Sequence, residues 1–337
     1  MLILGDEFIS LSYGNGGKKT SRLIEELILP SLGNDQLNNL GDGAVLKISG
    51  DIAFSTDSFV IYPCFFPGGD IGKLSVCGTV NDLLMCGSVP KYLSLSFIIE
   101  EGFKLSELET IINSISATAA KAGVKIVTGD TKVVDKGHGH GIYINTSGIG
   151  ERLPGISLGR ERISVGDKVI VTGSVGNHGI SILCARENLL EGDIESDCAP
   201  LNEPVEAILK YGNDVKILRD PTRGGVATTL NEFTEGMNFS IELVDEHIPV
   251  DSNVQTAADL LGLDPLYSAN EGKILAVVSA NVADKILEDL KKIDVSKSAA
   301  IIGEVVDYMP SKVILKTKFG GKRILDKLSY DILPRIC

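Results

Sequence analysis

The final residue of this chain is a cysteine, and aspartates recur beside apolar runs in its first half. A thiol can act as a nucleophile and carry a group. Carboxylates are ligands for magnesium, which takes one or two and fills its other places with water and substrate phosphates. Cys337 closes the stretch Lys327-Leu328-Ser329-Tyr330-Asp331-Ile332-Leu333-Pro334-Arg335-Ile336-Cys337. Extended, such a stretch reaches roughly 30 Å. Pro334 cannot continue a helix and biases Leu333 toward extended backbone. The thiol is therefore expected on a mobile tail that can enter a cleft, although a frayed terminus can also end in cysteine.

The carboxylates are Asp42 in Gly41-Asp42-Gly43-Ala44, Asp57 in Ser55-Thr56-Asp57-Ser58, Asp82 in Asn81-Asp82-Leu83 and Asp130 in Gly129-Asp130-Thr131-Lys132. One Gly-Asp pair is ordinarily a turn; four acidic residues in one domain are less easily set aside. Phe65-Phe66-Pro67-Gly68-Gly69-Asp70-Ile71-Gly72-Lys73 places Gly68, Gly69 and Asp70 before a helix start, where free amides and the helix dipole suit a phosphate. Neither this run nor Tyr13-Gly14-Asn15-Gly16-Gly17-Lys18-Lys19-Thr20 has Walker A spacing, and each reads equally as a flexible loop. In the second half, Arg223 of Asp220-Pro221-Thr222-Arg223-Gly224-Gly225 could fork onto phosphate, and Glu271 of Ala269-Asn270-Glu271-Gly272-Lys273 could act as a base if partly buried. Capping and loop polarity account for both clusters equally well. His138, His140, His178 and His247 have no metal-ligand spacing.

These residues need a scaffold, and periodicity supplies an α+β one. Strands are expected at Ile52–Ile61, Tyr92–Ile99, Lys125–Thr128 and Ile142–Ser147, with helices at Ile71–Met85 and Leu105–Ala122. The second helix has Ser106 and Glu109 at capping-box spacing and stops at Gly123. After the Pro- and Gly-rich stretch 153–166, strands and helices alternate again from Lys168 to Lys316. Three parts follow: an N-terminal domain at 1–155, a C-terminal α+β domain at 156–326 and the tail at 327–337.

Length and charge agree with that division. The 337 residues suffice for two cores, and a net charge of −13 disfavours nucleic acid as a partner. The six cysteines form no CxxC pair or regular framework, which suits a reducing, cytoplasmic setting and argues against structural zinc. The N-terminus has neither a basic start nor a long apolar run, so no leader peptide or membrane span is expected.

Together, the Phe65–Gly72 run, Asn81-Asp82, Val127-Thr128-Gly129-Asp130-Thr131-Lys132-Val133-Val134, Asp220–Gly225, Ala269–Lys273 and the terminal Pro334-Arg335-Ile336-Cys337 resemble the HypE family of hydrogenase maturation factors. The likeness runs through nearly the whole chain in motif order. It implies a two-domain PurM-like fold, as in aminoimidazole ribonucleotide synthetase, with the N-terminal mixed sheet pairing across a homodimer and a C-terminal α/β sandwich. It also implies that the carbamoyltransferase HypF loads Cys337. ATP then drives dehydration of the S-carbamoyl group to a thiocyanate, and the cyano group passes to iron through the HypC–HypD complex for a [NiFe] hydrogenase. On this resemblance Asp42, Asp82 and Asp130 hold Mg2+ with the nucleotide, and Asp57, Asn81, Thr131 and Arg223 are further contacts. Glu271 and Lys132 flank the thiocarbamate, and Arg335 guides the arm. The chain departs from the wider pattern at Gly41, Tyr13 and Asn177, where aspartate, histidine and aspartate are common. Two rival readings stand beside it: a small-molecule kinase or synthetase of the same fold in which Cys337 is idle, and a non-enzymatic carrier or scaffold that binds hydrogenase-maturation partners and stores a modified thiol.

Overall fold

The computed structural model describes residues 6–189 and 194–328, so Arg335 and Cys337 lie outside the described residues. The chain opens with short helical pieces, α1 (Lys18–Leu23), a π-helical turn (Ile24–Ile28) and α2 (Leu29–Leu32). The N-terminal sheet follows with β1 (Ile52–Phe59), the small hairpin β2 (Phe65–Phe66) and β3 (Gly69–Asp70), and helix α3 (Ile71–Met85). It is completed by β4 (Ser88–Glu100), α4 (Leu105–Ala122), β5 (Lys125–Val134) and β6 (Ile142–Arg152). Its strand order is β1-β6-β4-β5, antiparallel except for the parallel pair β4 and β5. β5 runs past the expected Thr128 because its pairing with β4 continues to Val134 opposite Glu100. Residues alternate between a face packed on α3 and an uncovered face that presents Ile52, Phe54 and Ile98 among small hydroxyl residues.

The second sheet is built from β7 (Lys168–Val171), α5 (Asn177–Glu187), α6 (Asn202–Leu209), β8 (Val215–Arg219), α7 (Gly225–Thr234) and β9 (Ser240–Val244). It continues through α8 (Ser252–Leu261), β10 (Leu275–Val278), α9 (Ala280–Leu290), β11 (Ala300–Val306), β12 (Val313–Lys316) and β13 (Lys322–Ile324). Its order is β13-β12-β9-β11-β7-β10-β8, mixed by the parallel pair β12 and β9. Val169 and Val171 enter one apolar cluster with Val226 and Leu230 of α7, while Ile170 enters the other with Ile286 and Leu290 of α9. A sheet covered on both faces needs unbroken apolar strands, which is why Lys168–Val171 and Leu275–Val278 do not alternate. Among the described residues no helix is long and apolar enough to cross a membrane.

Helix α3 is buried nearly all round, and Gly78 permits it: a Cβ there would stand 2.8 Å from the Phe59 ring. Its start corrects one expectation. Asp70 is the N-cap and its Oδ1 accepts from the amides of Gly72 (2.7 Å) and Lys73 (2.9 Å). Gly68, at φ +88°, packs against the backbone of Ser196, whose amide donates to Pro67 O. The free amides of the helix start, at Gly72 and Lys73, are thus taken by Asp70 itself, and Gly68 is packed against a neighbouring segment rather than left open. A second correction concerns α4: its N-cap is Lys104 with no side-chain cap, so Ser106 is not a capping residue. The expected stop at Gly123 is found in the left-handed conformation.

Asp70→Ala should lower stability in urea unfolding by about 1–2 kcal/mol, the range for a lost N-cap, whereas Asp70→Asn should retain most of it. An Asp70→Ala protein of unchanged stability that no longer binds ATP would reinstate the phosphate role.

Candidate active site

Two neighbouring residues of α3 face different partners. Asn81, 1 % exposed, donates from Nδ2 to the carbonyls of Ala199 (3.1 Å) and Glu271 (3.3 Å), and its Oδ1 accepts from Leu201 N (3.0 Å). The two C-terminal-domain segments also bind each other: Glu271 N donates to Asp197 Oδ1 (3.0 Å) and Ala199 N to Glu271 O (3.4 Å). Gly272 is required here, because a Cβ would lie 1.8 Å from Asp197 O. Asp82 turns instead toward β1, where its Oδ2 accepts from Ser55 Oγ at 2.6 Å.

An acidic cluster surrounds that junction. Burial, then the charge of Asp82, lifts Asp57 to about 6 despite Arg223. Burial, then Asp82, lifts Asp220 to about 7, with Arg219 opposing. Burial also raises Asp82. Glu271 is 4 % exposed and is held well above the usual carboxylate range by burial, then by Cys198 and Asp220. Groups that raise one another in this way are short of positive charge. Among the described residues no three side chains already converge as a closed ligand set. The all-oxygen cluster of Asp57, Asp82 and Asp220 fits an ion that keeps waters and borrows phosphate oxygens, as magnesium does.

The other expected residues stand apart from it. Asp42 is exposed in a segment without regular structure. Asp130 and Lys132 are exposed and pair with each other at 2.7 Å, which lowers the Asp130 carboxyl. They line, with Thr131, Gly14 and Phe97, a cavity of about 200 Å³. Registers place Asp130 opposite Ser96, Ser96 opposite Asn145, and Asn145 opposite Ser58. Three strand spacings, roughly 14 Å, therefore separate Asp130 from the Asp57–Ser58 edge. One ion within a single subunit cannot use both. Of the expected magnesium ligands Asp42, Asp82 and Asp130, only Asp82 lies in the cluster.

Several participants escaped the sequence reading. Asp220 opens, and Arg219 precedes, the motif from which only Arg223 was taken. Asp197 and Lys273 form a buried pair (3.4 Å) behind Glu271, with side chains 3 % and 9 % exposed. His178, which forms no metal site, is buried, bonded to Ser196 Oγ (2.8 Å) and lowered to about 4 by burial.

Comparison with known proteins follows from this geometry. Residues 40–152 match the family model "AIR synthase related protein, N-terminal domain" and residues 164–316 its C-terminal domain. The chain is similar to carbamoyl dehydratase HypE of Azotobacter vinelandii, 45 % identical over 98 % of this chain and 97 % of the relative. A solved structure of hydrogenase maturation protein HypE in complex with ATP superposes with a TM-score of 0.93 at 44 % identity, covering 97 % of this chain and 99 % of that one. A HypE–HypF complex matches at a TM-score of 0.80 and 45 % identity, covering 91 % and 99 %.

The raised carboxylates set a pH dependence. Asp57 and Asp220 bind protons more tightly folded than unfolded, so stability falls as pH rises from about 4 through about 7. In chelator, the melting temperature should be lower at pH 8 than at pH 5, and Asp220→Asn should flatten the slope. Magnesium with ATP should stabilise more at pH 8. A chelated wild-type protein that gains stability up to pH 8 would contradict the cluster's electrostatics.

Proposed function

The chain belongs to the AIR synthase-related family and, within it, to the HypE carbamoyl dehydratases of hydrogenase maturation, and from that premise we propose that Cys337 is the thiol on which its reaction takes place. The observation that carries this reading is the root of the tail. Leu325 is buried, and its carbonyl accepts from Asn231 Nδ2 (2.7 Å). Asp326 O accepts from Tyr267 Oη (2.8 Å). Tyr267 precedes Glu271 by only four residues. The backbone between them spans at most about 14 Å, and the tail beyond Asp326 roughly 35 Å. The arm can therefore bring Cys337 to Glu271 and also hold it clear of the protein.

The chemistry fits what is assembled there. In R–S–C(=O)–NH₂ the oxygen is a poor leaving group. Transfer of the γ-phosphoryl group of ATP onto it makes it leave as phosphate while nitrogen gives up its two protons and the C≡N bond forms. The products are R–S–C≡N, ADP and phosphate. A HypE solved with ATP supports the nucleotide as co-substrate. Magnesium, when bound at Asp57, Asp82 and Asp220, supplies neutralisation of phosphate charge. Glu271 is the base for a nitrogen proton. Burial, then Cys198 and Asp220, hold its carboxyl high, and neutralising Asp220 removes one of those causes. Arg223 beside Asp57 is suited to phosphate oxygens.

The opposite-edge placement of Asp130 and Lys132 supports a homodimer in which two N-terminal sheets pair through their uncovered faces. In such a pairing Lys132 of the partner subunit, with the segment around Asp42, joins the Glu271 side of the first. The HypE–HypF complex supports HypF as the loading enzyme, and the HypC–HypD complex as cyanide acceptor extends the same reading.

Incubated with carbamoyl phosphate, HypF, magnesium and ATP, the C-terminal peptide should gain a carbamoyl group on Cys337 and then lose one water only when ATP is available to this protein. Mass analysis showing no adduct on Cys337 would reject the carrier role. Glu271→Gln should load normally and stall before dehydration. Mixed with Lys132→Met protein, itself inactive, it should recover up to about a quarter of wild-type activity through hybrid dimers with one intact site. Absence of recovery in confirmed hybrids would place Lys132 and Glu271 in the same subunit or remove Lys132 from the reaction.

A further inference from the structure

The hairpin β12–β13 stands against the charge of the rest of the chain. Residues 312–327 carry six basic side chains and one acidic one in a protein of net charge −13. Some of these are used by the fold: Lys322 pairs with Glu242 (2.5 Å) and Arg323 with Asp264 (2.8 Å). Lys316 and Lys318 have no ion-pair partner among the described residues. At the tip, Thr317 N donates to Gly321 O (2.8 Å), and Gly320 sits at φ +82°. Such a tight turn favours small polar residues. Phe319 there is nevertheless 89 % exposed, with Lys318 Nζ 5.2 Å from its ring centroid. It adds no burial to this fold.

The hairpin's position gives these features a use. β13 is the edge strand of its sheet, and Ile324 on it is 43 % exposed. The chain leaves β13 directly into the root held by Asn231 and Tyr267. Cys337 is then only the ninth residue after Leu328. An enzyme that modifies Cys337 must hold its own active site within roughly 30 Å of that root, so its surface is brought beside the hairpin. Charge complementarity would speed such an encounter, and an aromatic anchor would fix it.

We propose that the β12–β13 hairpin is the docking surface for the enzyme that carbamoylates Cys337, with Lys316 and Lys318 meeting an acidic rim on that enzyme and Phe319 filling an apolar notch within it. The inference rests on the carrier reading of Cys337 and adds where the loading partner sits. It separates loading from dehydration, because the hairpin and β8, which leads into Asp220, are at opposite edges of the seven-stranded sheet.

The test uses the full chain and purified loading enzyme from the same source. Lys316→Glu/Lys318→Glu and, separately, Phe319→Ala should melt like wild type, since all three side chains are exposed. The charge-reversed protein should bind the loading enzyme at least tenfold more weakly, with a shallower salt dependence, and load proportionally more slowly at low enzyme concentration. Once loaded at saturating enzyme and repurified, both variants should dehydrate Cys337 at the wild-type rate with ATP. Binding and loading within twofold of wild type would overturn the docking assignment and leave the carrier reading standing. Failure of the wild-type protein to be loaded at all would overturn the carrier reading and this one with it. Loss of ATP-dependent dehydration in the loaded variants would assign the hairpin to the dehydration step instead.

Discussion

The amide of Asn81 is the contact on which the rest of the architecture turns. It lies on a helix that belongs to the first domain, yet all three of its hydrogen bonds go to main-chain groups of the second. A buried amide left unpaired costs roughly 1–3 kcal/mol. The bonds are therefore satisfied only when Ala199, Leu201 and Glu271 stand together in one arrangement. That arrangement brings the Glu271 carboxyl toward Asp57 on β1 and Asp220 just after β8, with Asp82 on α3 beside them. The packing that buries α3 and the placing of Glu271 beside the acidic cluster are one structural event. The small residues of α3 serve it: Gly78 lets Phe59 close over the helix, and Thr79 bonds Thr146 at 2.6 Å under the sheet.

The same arrangement concentrates negative charge where burial makes it unfavourable. Four carboxylates have raised affinities for protons, and the two arginines nearby are exposed at the rim. A fold selected for stability alone would not gather them. The arrangement makes sense if the free protein is only one state of a cycle and a cationic, phosphate-bearing ligand completes it. The Asp197–Lys273 pair behind Glu271 shows the alternative, a buried carboxylate already neutralised by a fixed ammonium. The lysine holds that wall together, while the cluster in front of it has no such permanent partner.

Where local chemistry decides, the sequence was a good guide. Helix α3 was legible to its ends from apolar spacing, and α4 from its stripe and Gly123. The second sheet was legible as alternating units, although its seven-stranded order depends on contacts far apart in the chain. The N-terminal pieces were missed because a π-helical turn at Ile24–Ile28 breaks the ordinary helical period and Pro30 reads as a helix breaker. Around the acidic cluster, Glu271 and Asp82 stood out through their motifs. Asp220 was passed over because its neighbours Pro221 and Gly224 read as a turn, and only burial reveals it as titratable. Asp70 misled for the opposite reason: a carboxylate beside two glycines and a helix start resembles a phosphate loop, but it fills that place itself.

Strand order carries the remaining argument. Asp57 is on one edge strand of the first sheet and Asp130 on the other, with two strands between. No side-chain rotation closes a gap of roughly 14 Å, so residues that a motif list groups as one site stand at opposite edges of one sheet. The uncovered face between them carries Phe54 at 64 % exposure and Ile52 at 52 %, flanked by hydroxyls that bond along the sheet, as Ser147 Oγ does to Thr56 Oγ1 at 2.8 Å. An apolar and hydroxyl surface of this kind suits a like surface better than water. Two copies related by a two-fold axis offer such a surface, and the axis would carry each far edge toward the other copy's near one. Association would then do for the second half of the site what Asn81 does for the first: it would turn residues distant in one chain into neighbours, and make the chemistry conditional on correct assembly.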